Sequence, residues 1–329
     1  MGQTTFTDME YSNRKRKTKR EEFLGIMNHV LPWDELVSLV EPYYPKGERG
    51  RPPKGIEKML RMYFLQSWFS LSDEGLEDAI YDSYAFRTFM GINFMEEQVP
   101  DATTLCLFRK LLHENGIAKL IFESIKEFLE QHGKIMHGGT IVDATIIDAP
   151  TSTKNADRRR DPEMKQTKKG NEWFFGAKLH VGVDAGTGYV HTVEVTAANV
   201  SDREVAVSLV RDDDEVVYGD AGYSNMHKRE EVKNSPHLSK IDWRTHVQKP
   251  YRKNEWAPGA GRYWHKQYQR QKSRVRCKVE YSFLVIKHIF GYRKVRYRGL
   301  SKNKSHAYTM CALTNLYMFA SANMSGVTR

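Results

Sequence analysis

IVDATIIDAP, Ile141 to Pro150, decides how the chain is read. Its Ile, Val and Thr content marks a β-strand. Alternation sets Ile141, Asp143, Thr145 and Ile147 on one face, and Val142, Ala144, Ile146 and Asp148 on the other. Aspartate is disfavoured in strands, and a carboxylate among Ile and Val is costly unless something compensates its charge. The strand therefore predicts a site.

Downstream, WFFGAKLHVGVD, the turn AGTG and YVHTVEVT read as a hairpin, after a polar, basic loop at 152–172. A helix from about Asp202 to Arg211 follows, then the strand EVVYGD. The order is β-β-β-α-β. The helix carries the chain back, so the last strand can lie parallel to the first and beside it. Asp220, at its end, is then expected to face Asp143, with no basic side chain paired to Asp143. Two facing carboxylates repel unless a cation lies between them, and a hard divalent ion, Mg²⁺ or Mn²⁺, meets that need. Asp148 falls on the opposite strand face. Asp184 is read as a turn-former before Gly186, Asp202 as a helix cap, and His180 and His191 as strand residues rather than metal ligands.

A third acid is expected from a helix. RVRCKVEYSFLVIKHIFGYRK carries an apolar stripe of Val275, Val279, Phe283, Ile286 and Phe290. Along its edge lie Arg276, Glu280 and Lys287, which ideal α-helical spacing sets within about 40° of one another. A surface salt-bridge ladder is the simpler reading of Arg-x3-Glu alone. Beside two strand-borne aspartates, Glu280 reads instead as the third acid.

Upstream, to about Gly133, the chain reads as helices. DELVSLVEPYY opens at Asp34, SDEGLEDAIYDS is capped by Ser72, and the helix after Asp101 stops at Gly116. Such a region could bind DNA or serve as a dimerisation scaffold.

The sequence has 329 residues and a formal net charge of +10, which suits a polyanionic partner. Between Ile241 and Lys278 eleven Lys or Arg residues stand against Asp242 and Glu255, so this segment holds nearly the whole surplus. Aromatic rings are interleaved with it. Cations there can neutralise phosphates while rings stack on unpaired bases. Arg252, Lys253, Trp256, Arg262, Trp264, Lys266, Arg270 and Arg274 are the candidate DNA-binding residues. A second basic cluster, Arg14 to Arg20, reads as a disordered arm on the DNA backbone. Cys106, Cys277 and Cys311 form no CxxC pair, which argues against a zinc site or disulfide framework and fits a reducing cytoplasm. No signal peptide opens the chain and the last apolar run reads as a core helix, so no membrane partner is expected. There is no Walker sequence, hence no expected nucleotide hydrolysis.

VDATIIDAPTSTKN, RDPEMKQTKKGNEWFFGAKLHVGVD, TAANVSD, GDAGY and R-x3-E-x6-K around Glu280, with LPWDELVSLVEPYYPKGERGRPP and WFSLSDEGLEDAIYDS upstream, resemble the DDE transposases of bacterial insertion sequences, closest to the insertion-sequence-five kind. The likeness covers nearly the whole chain. It departs at Ser273, where the broader pattern often has Tyr. The resemblance implies an α/β, RNase H-like catalytic domain with a catalytic, metal-holding triad of Asp143, Asp220 and Glu280. Arg276, Lys287 and Tyr223 are placed as supporting residues. The expected organisation is a basic arm at 1–20, a helical domain at 21–135 for DNA-end binding or dimerisation, a catalytic domain at 138–222 and 271–329, and a basic, aromatic insertion at 223–270. The expected activity is cleavage at the element's ends with two Mg²⁺ or Mn²⁺ ions, then transfer of the 3′-OH into target DNA. Terminal inverted repeats and target duplex are the expected partners, with at least a homodimer in the synaptic complex. An RNase H-like nuclease that cuts without joining and a DNA-binding repressor are the rival readings.

Overall fold

The computed structural model describes residues 11, 14–47, 52–135, 137–154, 158–245 and 260–324. They fall into two compact units. One holds residues within 1–66, 71–109 and 319–329, the other 67–70 and 110–318.

The first unit is helical. Its helices are α1 (Lys19–Val30), α2 (Trp33–Val40), most of α3 (Ile56–Phe69), α4 (Asp73–Asp82), α5 (Tyr84–Met90) and the start of α6 (Ala102–Glu114). Side chains fix several helix starts. Ser72 accepts the Gly75 N–H at 3.1 Å, and Asp101 accepts that of Thr104 at 2.6 Å. Asp34 does not open α2, which starts at Trp33 after Pro32. Residues 14–20 are not the loose arm expected of them. Thr18 and Glu21 form a capping box on α1, Arg14 pairs with Glu21, and Arg14 lies over the Tyr11 ring, itself stacked on Tyr84. Arg109 ties the unit together by donating to Asp73 and Gln66 at 2.7 Å.

The second unit begins earlier than the expected boundary near 135. Helix α7 (Ile117–Gln131) belongs to it, with Ile117, Ile121, Phe122, Ile125 and Leu129 all buried on one face. Phe122 meets the Tyr308 ring at 5.7 Å. An apolar stripe of that width is stable only against another apolar layer.

A six-stranded sheet follows: β1 (Thr140–Asp148), β2 (Lys165–Lys169), β3 (Glu172–Asp184), β4 (Val190–Ala197), β5 (Val216–Gly219) and β6 (Asp242–Thr245). β3 pairs antiparallel with β1 on one edge, and with β2 and β4 on the other. β5 lies parallel to β1, Thr140 opposite Val217 and Ile141 opposite Tyr218, and β6 lies parallel to β5. The β-β-β-α-β core is therefore present, through β1, β3, β4, helix α8 (Asp202–Ala206) and β5, in an RNase H-like mixed sheet.

Two strands were not expected. β2 turns half of the basic 152–172 loop into a ribbon with β3. β6 brings 242–245, expected inside the 223–270 insertion, into the sheet itself, after the short helix α9 (Glu230–Lys233). Pairing of β6 satisfies backbone groups along β5 that an edge would leave open.

Packing is two-sided. Val142, Val205, Leu209, Val217, Tyr223 and Met226 form a core on the α8 side. The chain then runs through α10 (Ala260–Arg276), α11 (Lys278–Leu284) and α12 (Leu300–Met324). Asn315 of α12 holds the edge of β4 by bonding both backbone groups of Val190, at 2.9 and 2.7 Å. The last apolar run is thus a core helix, and no helix among the described residues is long and apolar enough to cross a membrane.

Candidate active site

The parallel register of β1 and β5 sets the site. Carried two residues past the last paired residues, Ile141 and Tyr218, it leads to Asp143 on β1 and to Asp220 just beyond the end of β5. Asp143 is largely buried, its side chain 16% exposed. Its Oδ1 accepts the Ala144 N–H at 2.8 Å, and its Oδ2 accepts Arg276 Nη1 at 3.1 Å. Burial pushes the Asp143 carboxyl up to about 6, and the negative charges of Asp220 and Glu280 add to that, against the pull of the Ala144 N–H and Arg276. Asp220 Oδ1 accepts the Gly222 N–H at 2.7 Å and so caps the turn Ala221–Tyr223.

Glu280 sits on α11, 58% exposed, and its Oε1 accepts Arg276 Nη2 at 2.8 Å. Residues on either side fix this helix to the sheet. Lys278 Nζ donates to the Ala185 and Gly186 carbonyls at 2.7 Å, and Ser282 Oγ to that of Gly188 at 3.0 Å. Arg276 is therefore the link between strand acid and helix acid. The expectation that Asp143 has no basic partner is overturned: Arg276, at the end of α10, reaches the sheet and supplies its counter-charge.

Lys287 stands elsewhere. After α11 the helix widens into a π-type turn over Val285–Ile289, with Phe290 N bonded to Val285 O at 2.9 Å. Lys287 Nζ donates to Thr145 Oγ1 at 2.9 Å and to the Ile146 carbonyl at 2.8 Å. Its burial lowers the ammonium's pKa. Lys287 thus braces β1 two residues beyond Asp143 rather than joining the Arg276–Glu280 pair. Tyr223 is a core residue, 1% exposed. Its hydroxyl finds no hydrogen-bond partner among the described residues, and burial, with Asp202, Asp143 and Asp220 near, raises its pKa.

The other acids have local tasks. Asp184 accepts the N–H groups of Gly186 and Thr187 at 3.0 and 2.8 Å, as a turn-former does. Asp202 does not cap α8: Ser201 holds that position, while Asp202 accepts Lys178 Nζ at 2.9 Å. His180 is buried, which lowers its pKa to about 4 and keeps the ring neutral. His191 is buried too, 3.0 Å from Thr140 Oγ1.

The basic segment divides. Arg252, Lys253 and Trp256 lie outside the described residues, and Arg262 is described only as part of α10. Trp264 is 69% exposed, and Lys266, Arg270 and Arg274 are exposed on the same helix. Among the described residues, three of these cations besides Arg276 are engaged within the fold instead. Lys272 Nζ donates to the Thr245 carbonyl at 2.8 Å, Arg244 to Asp242 at 2.7 Å and the Tyr218 hydroxyl at 3.0 Å, and Lys278 to the turn noted above. They dock α10, β6 and α11, so the surplus is partly structural.

Chemically, the site collects carboxylates only, the donor set a hard divalent cation takes. Among the described residues no three His, Cys, Asp or Glu side chains converge closely enough to hold one ion, and Arg276 is the cation bridging two of the acids. The donor type thus fits a hard ion, and holding one with all three acids requires Arg276 to leave and the acids to draw together.

A family model described as "Transposase DDE domain" matches residues 135–316, and one described as "Transposase domain" matches residues 12–111. The second match ends near the close of the first unit's 71–109 segment, whereas the DDE-domain match begins at 135 and leaves helix α7 of the second unit outside it. Among solved structures, the chain resembles a cryo-EM structure of the piggyBac transposase synaptic complex with hairpin DNA. The identity is 10% and the TM-score 0.48, over 89% of this chain and 72% of that one.

Proposed function

The chain belongs to the transposase DDE-domain family, and from that premise we propose that it cuts DNA at the ends of an insertion sequence of the insertion-sequence-five kind and joins the freed 3′-OH to target DNA. Water attacks the phosphodiester, the 3′ oxygen leaves as a hydroxyl, and that hydroxyl then attacks a target phosphate, so no covalent enzyme intermediate is needed. Asp143, Asp220 and Glu280 would hold Mg²⁺ or Mn²⁺. A bound divalent cation supplies Lewis-acid stabilisation of charge on the phosphate and leaving oxygens. Arg276 neutralises Asp143 and Glu280 at rest and, once released from them, meets the scissile phosphate. Lys287 keeps Asp143 in place by pinning the next residues of β1. The exposed face of α10, with Trp264, Lys266, Arg270 and Arg274, binds the DNA end. Pairing of two ends requires at least a dimer.

The observation that supports this reading most is the parallel register of β1 and β5, which leads to Asp143 and to Asp220 just beyond the end of β5, with Glu280 tied to Asp143 through Arg276. The test is a cleavage-and-joining assay on duplex carrying the element's ends and their flanks, in Mg²⁺ against EDTA. Nicks ending in 3′-OH, and joined products, are expected with Mg²⁺ alone. Nicks without joining would make the protein a nuclease; binding without cleavage in Mg²⁺ or Mn²⁺ would make it a repressor.

The raised Asp143 carboxyl has a pH signature. Folding favours its protonated form, so in EDTA its contribution to stability is complete below about pH 4 and is lost as pH rises through 6. The loss is on the order of 3 kcal/mol. Denaturant unfolding at pH 4 and pH 7 should show this loss in the wild type and not in Asp143→Asn. Equal pH dependence in both proteins would place the titrating group elsewhere.

A further inference from the structure

The segment 158–175 has no part in the reaction above, yet it is strongly basic. Arg158, Arg159, Arg160, Lys165, Lys168 and Lys169 stand against Asp161, Glu163 and Glu172. Two of those acids are taken up by backbone N–H groups. Asp161 accepts the Gly299 N–H at 2.7 Å, and Glu163 the Leu300 N–H at 2.8 Å, at the start of α12. The lysines of β2 are exposed, and among the described residues none forms an ion pair.

β1 ends opposite Gly176, and past a last bond from the Ala149 N–H to the Phe175 carbonyl at 2.7 Å, β3 continues outward to Glu172 paired only with β2. Gly170, at φ +63°, turns the tip. The result is a two-stranded ribbon, and the major groove of B-DNA admits a ribbon of this kind. At its outer end Trp173 is 68% exposed, with Lys168 Nζ 6.0 Å from its ring centroid. The base is firm: Phe175 packs with Ala149, Met164 and Ala177. Strand parity sets the direction. Asp143 lies opposite Val181, and residues 173 and 181 of β3 share a face, so Trp173 and Lys168 point to the same side of the sheet as Asp143. Eight residues of strand span about 27 Å, which is roughly eight base-pair steps of duplex.

We propose that the ribbon Lys165–Phe175 enters a groove of the duplex being cut, Trp173 and Lys168 foremost, roughly eight base pairs from the phosphate attacked at Asp143. The proposal rests on the transposase reading and adds a second DNA-binding element, independent of α10. Lys165, Lys168 and Lys169 meet phosphates along the groove walls, and Trp173 packs on sugars or base edges within it.

Its test is the binding, in EDTA, of a 40-base-pair duplex joining an element end to its flank. It compares wild type, the triple variant Lys165→Gln/Lys168→Gln/Lys169→Gln, Trp173→Ala, and Glu280→Gln. The triple variant should lower the slope of log affinity against log salt by about 0.9 for each phosphate it no longer neutralises. In hydroxyl-radical footprints, both ribbon variants should lose protection roughly eight base pairs from the cleavage position and keep it at that position. Glu280→Gln should keep the full footprint, which separates binding from chemistry. A wild-type footprint unchanged in the triple variant and in Trp173→Ala overturns the ribbon proposal alone. A wild-type protein that protects no DNA overturns it together with the transposase reading. The altered side chains are exposed, so thermal melting should match wild type.

Discussion

Glu280→Gln is expected to lower strand cleavage by at least about 10³-fold, some 4 kcal/mol of transition-state stabilisation, while DNA binding stays near wild type. The substitution keeps the size and removes the charge. Glu280 is 58% exposed on a helix that Lys278 and Ser282 hold to the sheet, so the fold does not depend on its carboxylate. Asp143→Asn and Asp220→Asn should lose cleavage to a similar degree. A double variant should be little worse than either single one, because residues that act as a unit are not additive. Single-turnover cleavage of labelled end DNA, with filter binding in parallel, measures both quantities. Cleavage in Glu280→Gln within tenfold of wild type would remove Glu280 from the site.

Gly176→Ala should be among the most destabilising single substitutions in the second unit. A Cβ at this position would stand 2.1 Å from the Ile147 carbonyl oxygen and 3.0 Å from the Ala149 nitrogen, both backbone atoms of β1 or its end. Backbone inside a paired sheet cannot move aside as a flexible side chain does. Relief requires β1 and β3 to separate where β1 meets the ribbon, at a cost on the order of 3 kcal/mol. Denaturant unfolding would read this directly. Cleavage should fall as well, because Asp143 is positioned by the same strand pair. An unchanged midpoint would mean that β1 and β3 part at Gly176 without cost.

Much of this architecture is legible in the amino-acid order. Alternation in IVDATIIDAP and the crossover rule are enough to place Asp220 beside Asp143, and Ser72, Asp101 and Gly116 bound their helices as their chemistry suggests. What is hidden has identifiable physical causes. β2 reads KQTKK, with no apolar alternation, because neither face of the ribbon is buried there. β6 is four residues long and takes its place from β5 rather than from its own pattern. The reach of Arg276 to Asp143 depends on how far α10 stands from the sheet, which helical phase does not contain. Lys287 leaves the expected edge because the π-type turn adds a residue to the helical repeat. Helix α7 looks like its upstream neighbours in sequence; only the destination of its apolar face assigns it to the second unit.

The three acids stand at positions 143, 220 and 280, on a strand, just past the end of another and on a helix, and no stretch of chain brings even two of them together locally. Pairing β1 with β5 closes a long loop before any hydrogen bond between them can form, and pairings of that kind form late and slowly. Enzymatic competence is therefore a readout of global folding. Cleavage and near-ultraviolet circular dichroism should be lost at the same denaturant concentration, and regained together. On the proposed reading, a nascent or partly unfolded chain, however basic, would lack the assembled acids that cutting needs.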